Sequence, residues 1–522
     1  MSGKIITAQQ AADLIHDGIT IGFNGFVGFG HAEEISIEIE KKFLAAGHPR
    51  NLTLIYGAGQ GDGKTSFGLN HYAYEGMTKR IICGHVGLAP QLAGLVAGNK
   101  IEGYNFPQGV VTHLYRAVAG NKVGVITHVG LKTFADPRVE GAKMNKMTTE
   151  DLIDLIHING KELLLYKRLP IHVALIRGTT ADEFGNITME EEAVHLETLS
   201  LAQAAKNSGG IVIAQVKRLA QRGSLHPQRV RVPGVLVDYI VVAHPENHTM
   251  SPVIQYNPAY SGEIRVPLNS LPPMPLNERK IIARRCAFEL APNGNINLGI
   301  GVPDGVALVA LEEGLNNNIT LMIESGAIGG IPGGGLDIGA STNADAFIDH
   351  PYQFDFFDGG GIDVTFLGLA EADKVGNINV SKFNGRAVGC GGFVNISQNA
   401  KKVVFCGTFT AGRSEYDIRD GQLNILKDGQ YKKFVQNVEQ ITFSGEYAAD
   451  IGQNVLYVTE RAVFVLSKEG LVLTEIAPGV DLQRDILDQM AFPPLVSSDL
   501  KLMDVRIFTD APMGIREEIL NK

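Results

Sequence analysis

Three features of the sequence predict an α/β protein of two related domains, each with a mostly parallel sheet and both fused in one chain. Strand-like apolar runs alternate with helix-compatible segments, a proline-rich break divides the chain, and short motifs recur on either side of that break. Parallel strands need crossover connections, usually helical, so alternation of this kind implies a sheet covered on both faces. At 522 residues the chain is too long for one ordinary core, and its 44% hydrophobic and 20% charged residues are those of a globular protein.

The elements follow in order. Thr7 caps an opening helix on which Ala11, Leu14 and Ile15 share one face, and Gly18 stops it before a strand over residues 19–23. Further strands are read over 51–56, 123–127, 172–177 and 211–216, with a helix-compatible stretch over 149–157. Pro267, Pro272, Pro273 and Pro275 crowd residues 266–276, where fixed φ angles and missing N–H groups disfavour both helix and sheet interior. This segment is assigned as the linker between an N-terminal domain, 1–270, and a C-terminal domain, 277–522. The second domain opens like the first: Asn277 caps a helix over 278–290, and 295–299 is a strand running into a glycine turn. Ala181-Asp182-Glu183-Phe184-Gly185-Asn186-Ile187 recurs as Ala372-Asp373-Lys374-Val375-Gly376-Asn377-Ile378. Asn51-Leu52-Thr53-Leu54-Ile55-Tyr56-Gly57-Ala58-Gly59 is answered by Asn318-Ile319-Thr320-Leu321-Met322-Ile323-Glu324-Ser325-Gly326, in the same order along the chain, which implies duplication.

Bulk properties exclude several function classes. A net charge of -10 offers no basic surface for nucleic acid. No run approaches the roughly 18 apolar residues of a membrane span, and the first residues lack the basic start and apolar core of a signal peptide. The four cysteines, Cys83, Cys286, Cys390 and Cys406, show no paired spacing, which fits a reducing compartment, so a cytoplasmic protein is expected. Many of the 61 glycines cluster between apolar runs, where close approach to a ligand is a common reason for lacking a Cβ.

In the second matched pair Gly57 is answered by Glu324, which ends the apolar run 319–323 and precedes Gly326-Ala327-Ile328-Gly329-Gly330-Ile331-Pro332-Gly333-Gly334-Gly335. Open α/β sheets form their ligand crevice at the carboxyl ends of parallel strands, and a charged group there must be solvated, paired or chemically used. From spacing alone Glu324 fits two readings equally: a paired or N-capping residue at a loop start, and a reagent. Glycine runs here and at Gly389-Cys390-Gly391-Gly392 can aim backbone N–H groups at a phosphate or an oxyanion, although plain turns share the composition. Ala58-Gly59-Gln60-Gly61-Asp62-Gly63-Lys64-Thr65 nearly fits a phosphate loop, but no second carboxylate motif for magnesium accompanies it, and nucleotide hydrolysis is set aside. His244 and His248 have the spacing of a zinc helix that Pro245 breaks, so no metal site is expected. Cys390 has no nearby histidine in sequence and reads as a small buried residue, while Gln108 in isolation reads as a locally satisfied loop amide.

Glu324-Ser325-Gly326-Ala327-Ile328-Gly329-Gly330 resembles the active-site segment of the class I coenzyme A transferases, in the form found in the bacterial propionate and acetate branch. The segments Tyr104-Asn105-Phe106-Pro107-Gln108-Gly109, Gly389-Cys390-Gly391-Gly392-Phe393, Phe405-Cys406-Gly407-Thr408-Phe409-Thr410-Ala411-Gly412 and Glu475-Ile476-Ala477-Pro478-Gly479-Val480-Asp481-Leu482 resemble the same family. Two positions depart from its wider pattern. Ile323-Glu324-Ser325-Gly326 stands where Ser-Glu-Asn-Gly is common, and Ala32 stands where a proline precedes the signature glutamate, here Glu33.

The resemblance implies a CoA-transferase-like fold and a short-chain acyl-CoA:carboxylate CoA-transferase, ping-pong through an acyl-glutamyl anhydride and a glutamyl-CoA thioester on Glu324. It implies Gln108 and a backbone N–H of the Gly391-Gly392 turn as oxyanion donors, with Gly299, Gly301, Pro303, Gly326 and Gly389 shaping the coenzyme A groove. No tightly bound cofactor is expected. Coenzyme A thioesters and short-chain carboxylic acids such as acetate and propionate are the expected substrates, and such relatives are commonly homo-oligomers. Two alternatives stay open: an acyl-CoA hydrolase on the same scaffold, and a non-catalytic acyl-CoA-binding subunit.

Overall fold

A run of five parallel strands in one order organises both halves of the chain. The structure, a computed structural model, describes residues 3–64, 66–267 and 273–522; Thr65, and residues 268–272 within the expected linker, lie outside the described residues. In the N-terminal half the strands are β1 (Thr20–Phe23), β2 (Leu52–Tyr56), β3 (Thr78–Cys83), β4 (Glu102–Asn105), β5 (Gly124–Thr127), β6 (Ile153–Ile158), β7 (Lys161–Lys167), β8 (Val173–Asp182), β9 (Ile187–Thr188), β10 (Ile211–Ala220) and β11 (Tyr239–Val242). The main sheet runs β11-β10-β8-β1-β2-β3-β4, parallel throughout, with β9 folded back on β8.

The C-terminal half contributes β12 (Gly294–Leu298), β13 (Ile319–Met322), β14 (Ala327–Ile328), β15 (Ala346–Phe347), β16 (Val364–Gly368), β17 (Lys402–Cys406), β18 (Asn454–Val458), β19 (Ala462–Ser467), β20 (Gly470–Ile476) and β21 (Leu495–Leu502). Their order is β15-β14-β13-β12-β16-β17-β18-β19-β20-β21. The parallel run β18-β17-β16-β12-β13 repeats β11-β10-β8-β1-β2, and β13 is the counterpart of β2. The two halves are therefore related α/β units with mostly parallel sheets.

The recurring Ala-Asp-x-x-Gly-Asn-Ile motif builds the same turn twice. Asp182 Oδ1 accepts the N–H groups of Phe184 (3.0 Å) and Asn186 (2.9 Å), and Asp373 Oδ1 accepts those of Val375 (3.1 Å) and Asn377 (3.0 Å). In each case the asparagine side chain donates back to the aspartate and receives a glycine N–H, Gly234 in one half and Gly445 in the other. A buried carboxylate that satisfies several donors can be kept only if the turn is kept, which explains the sequence match.

Two elements depart from the sequence reading. Residues 149–157, expected to be helix-compatible, lead into β6, because Asn159 (φ 50°) and Gly160 (φ 76°) both take the left-handed conformation of a tight hairpin turn and fold β6 onto β7. The expected strand over 123–127 exists as β5 but joins β6 and β7 in a separate antiparallel sheet. The helix caps are as read: Thr7 accepts the Gln10 N–H and Asn277 the Lys280 N–H.

Apolar side chains alternate between the sheet faces, so that Leu54 and Ile55 of β2 enter opposite core layers. One layer includes Val110, Val111, Leu114 and Tyr115 from the helix Gln108–Ala119. That helix also meets the other half: His113 Nε2 donates to the Pro351 carbonyl (3.1 Å), and Arg116 pairs with Asp355.

Candidate active site

Glu324 sits just past β13, in a two-residue turn that reverses the chain into β14. Ile323 N–H donates to the Ala327 carbonyl (2.9 Å) and Gly326 N–H to the Ile323 carbonyl (3.0 Å), closing the turn. Gly326 has φ 111°, and a Cβ there would lie 2.1 Å from the Ile348 carbonyl oxygen, so only glycine fits. The Gln353 side chain donates to the Ile323 carbonyl (3.1 Å), and Asn297 to that of Met322 (2.9 Å). The carboxylate is thus carried on a fixed strand end.

A second turn brings backbone to that carboxylate. Residues 389–392 of the C-terminal half are bonded into loops of the N-terminal half: Gly391 N–H donates to the Gly84 carbonyl (2.8 Å), Gln108 N–H to the Gly391 carbonyl (2.9 Å), and Cys390 N–H to Asn105 Oδ1 (3.0 Å). A Cβ on Gly392 would lie 2.0 Å from Glu324 Oε2, which measures how closely the carboxylate rests on this turn. Gly391's N–H is spent on Gly84, whereas that of Gly392 has no hydrogen-bond partner among the described residues. Of the two turn donors named from the sequence, only Gly392's is free.

Gln108 begins its helix on the cleft that it lines together with Glu324. Its side-chain amide nitrogen donates to His350 Nε2 (2.9 Å), and His350 Nδ1 donates to Glu197 Oε2 (2.8 Å). The His350 and Glu197 side chains are fully buried. Burial pushes the Glu324 carboxyl above the usual carboxylate range, and neighbouring Gln108 pulls it part of the way back.

Glu324 and Gln108 open on a cleft of about 750 Å³ between the halves, within the range of small-molecule sites. One wall holds Phe26, Val27, Ala58, Gly59, His85 and Leu88; the other holds Gly299, Ile300, Gly301, Gly389 and Gly392 beside Glu324. Gly299, Gly301 and Gly389, named from the sequence, line this cleft. Pro303 and Gly326 do not line it: Pro303 is buried ahead of the helix Gly305–Glu312, and Gly326 serves the turn. His85, unremarked in the sequence, is held neutral near pH 7, because burial lowers its imidazole to about 4. Sequence reasoning also missed Glu197 and His350, which come from separate segments and carry no local motif.

The rival sites do not assemble as sites. In the near phosphate loop Gly61 and Gly63 donate their N–H groups to the carbonyls of Val27 (2.8 Å) and Leu88 (3.0 Å), leaving neither to a phosphate. His244 bonds Glu34 (3.0 Å), and His248 faces Glu192 (3.5 Å).

Residues 5–243 match the family model described as coenzyme A transferase. The chain is 49% identical to the caffeate CoA-transferase of Acetobacterium woodii, covering 98% of each chain. It is 45% identical to the acetate CoA-transferase YdiF of Escherichia coli K12, over 98% of this chain and 96% of that protein. The crystal structure of the acyl-CoA transferase YdiF from E. coli O157:H7 in a thioester complex with CoA superposes with a TM-score of 0.92 at 44% identity, covering 98% of this chain and 97% of the other.

Proposed function

The chain belongs to the coenzyme A transferase family and is a CoA-transferase, and we propose that it moves coenzyme A between short-chain acids of the acetate and propionate type through covalent intermediates on Glu324. The observation that carries this reading is the Glu324 carboxylate resting on the Gly392 backbone, in a cleft that it lines together with Gln108 and that both halves build.

The steps balance without a metal or a resident cofactor. Glu324 attacks the acyl-CoA carbonyl, the C–S bond breaks, and an acyl-glutamyl anhydride and CoA thiolate form. The thiolate attacks the glutamyl carbonyl, the anhydride C–O bond breaks, and the first acid leaves as its carboxylate. The acceptor acid then attacks the glutamyl thioester, releasing thiolate, which attacks the acceptor's acyl carbonyl and frees Glu324. Thioester energy is conserved throughout.

The demanding step is expulsion of a thiolate, whose acid has a pKa near 8.5, by a carboxylate of ordinary pKa about 4.3. Burial of Glu324 narrows this gap by raising its basicity. Attack on the glutamyl carbonyl places an oxyanion on Glu324 itself, where the Gln108 amide and the free Gly392 N–H supply donors. Each such donor is typically worth about 10² to 10³ in rate. Coenzyme A's remote parts, lying toward Gly299 and Gly301, add binding energy that can be used at the reacting centre.

The test incubates the protein with acetyl-CoA alone and reads its intact mass. One CoA less water added on Glu324, absent from Glu324→Ala, and acceptor-dependent formation of propionyl-CoA are expected. Transfer without an adduct removes Glu324 from its role, and thiol release independent of acceptor makes the protein a hydrolase. A strict preference for hydroxycinnamoyl donors overturns the short-chain assignment.

A further inference from the structure

We propose that the buried Glu197–His350 pair is a positioning device that sets which end of the Gln108 amide faces Glu324, and so sets whether an oxyanion donor exists. The proposal rests on the reading of Gln108 as that donor.

A glutamine amide is nearly the same shape in either orientation, yet only its NH₂ end can donate to an oxyanion. The choice must therefore come from a neighbour whose own role is fixed. His350 alone is not fixed, because a neutral imidazole can carry its proton on either nitrogen. Glu197 removes that freedom. As a carboxylate it only accepts, at 2.8 Å from His350 Nδ1, which holds the proton there and leaves Nε2 with a lone pair. That lone pair, 2.9 Å from Gln108 Nε2, accepts one amide hydrogen and leaves the other for the cleft that Gln108 lines together with Glu324.

The surroundings support a built assembly. Both side chains of the pair have no solvent exposure. Glu197 lies at the amino end of the helix Thr198–Asn207, whose dipole complements a negative charge. The preceding residue, Leu196, has φ 54°, rarely adopted by side-chain-bearing residues, and its carbonyl accepts the His350 N–H (3.0 Å). The backbone is thus bent to bring segments from the two halves together. Gly57, the counterpart of Glu324, completes the packing: a Cβ there would lie 3.5 Å from Glu197 Oε1 and 3.8 Å from Gln108 Cγ.

The test is a double-mutant cycle on steady-state transfer from acetyl-CoA to propionate. Glu197→Gln keeps the shape but offers an amide that can stabilise either imidazole tautomer. It is expected to lower kcat about 10- to 100-fold, part of the worth of one oxyanion donor, with KM for acetyl-CoA nearly unchanged. In a Gln108→Ala background the same change is expected to cost less than about 3-fold, because the group it positions is gone. Equal losses in both backgrounds, or no loss in the parent, overturn the proposal. His350→Asn repeats the cycle if Glu197→Gln fails to fold, and if neither folds the pair is a core element and the proposal falls. The parent's adduct is read alongside: transfer without a Glu324 adduct defeats the covalent reading, while the cycle still reports whether Glu197 acts through Gln108.

Discussion

Gly392→Ala separates catalytic geometry from folding, because the three atoms nearest the added methyl all belong to side chains. It would lie 2.0 Å from Glu324 Oε2, 3.0 Å from Glu324 Cδ and 3.1 Å from Phe354 Cζ. Contacts under 3.0 Å do not persist, so the carboxylate tip must retreat by at least about 1 Å. The tip of a glutamate can do so by rotating, and Phe354 needs to give only a few tenths of an ångström, so the thermal midpoint should stay close to the parent's. Catalysis has no such freedom. A misplacement of about 1 Å can cost 10²-fold, about 2.7 kcal/mol, and it also takes Glu324 away from the Gln108 amide. A single-turnover experiment with acetyl-CoA, quenched and read by intact mass, should therefore show adduct formation slowed about 10²-fold or more in a protein that melts normally. Gly391→Ala is the control: its Cβ comes no nearer than 3.6 Å, to Gln108 Oε1, though φ 54° adds about 1–2 kcal/mol of backbone strain. It should lose stability and keep more activity than Gly392→Ala. Parent-like adduct formation in Gly392→Ala would refute the placement of the carboxylate on this turn.

Three further outcomes are expected. The acid limb of kcat/KM should lie above the ordinary glutamate value of about 4.3, since attack needs the carboxylate, burial raises the Glu324 pKa, and the carboxylate is lost as pH falls through that raised value. Gln108→Ala removes a polar neighbour that favours the charged form and should shift the limb further upward; a limb at or below the free value counts against a buried nucleophile. Gly326→Ala, unlike Gly392→Ala, should cost stability as well as activity, roughly 1–3 kcal/mol in a denaturant titration, because its methyl meets the fixed Ile348 carbonyl at φ 111°. Asp182→Ala and Asp373→Ala should each destabilise by about 2 kcal/mol, leaving equivalent backbone N–H groups without an acceptor; if one is silent, the two turns are not energetic equivalents.

Much of this arrangement was legible in the sequence because it rests on local chemistry. Helix caps, parallel strands and the Asp-centred turns are written in residues a few positions apart, and the repeat placed Glu324 opposite Gly57 before any geometry was known. One error came from context, and one choice was left open by it. Residues 149–157 lost a helix to the Asn159-Gly160 hairpin, a signal that was present and outweighs the weak propensities before it. The role of Gly391 depended on whether its N–H was free, and the acceptor that occupies it, the Gly84 carbonyl, lies in the other half of the chain. The same distance hid Glu197 and His350, which meet across 153 positions with no motif around either.

Duplication explains why the site lies where it does. Two copies of one α/β unit each present a strand end of the same kind, β2 and β13, but two carboxylates facing one cleft would repel and would bind protons between them. On the proposed reading only one copy carries the reagent. The N-terminal copy has Gly57 at that position, and the space beside it is taken by Gln108 and Glu197, the latter turned toward His350 rather than the cleft. On this reading a pair of equivalent units has become one asymmetric site, with the proposed nucleophile Glu324 on one strand end and its proposed donor Gln108, held by a buried imidazole and carboxylate, at the other. Introducing a carboxylate by Gly57→Glu should for this reason not create a second reactive centre: its side chain would enter a space already within 3.4 Å of Thr112 Cγ2 and 3.5 Å of Glu197 Oε1, and loss of Gln108 alignment should abolish adduct formation on Glu324. A Gly57→Glu protein that folds and still acquires CoA on Glu324 at the parent rate would show that the two strand ends do not share one site.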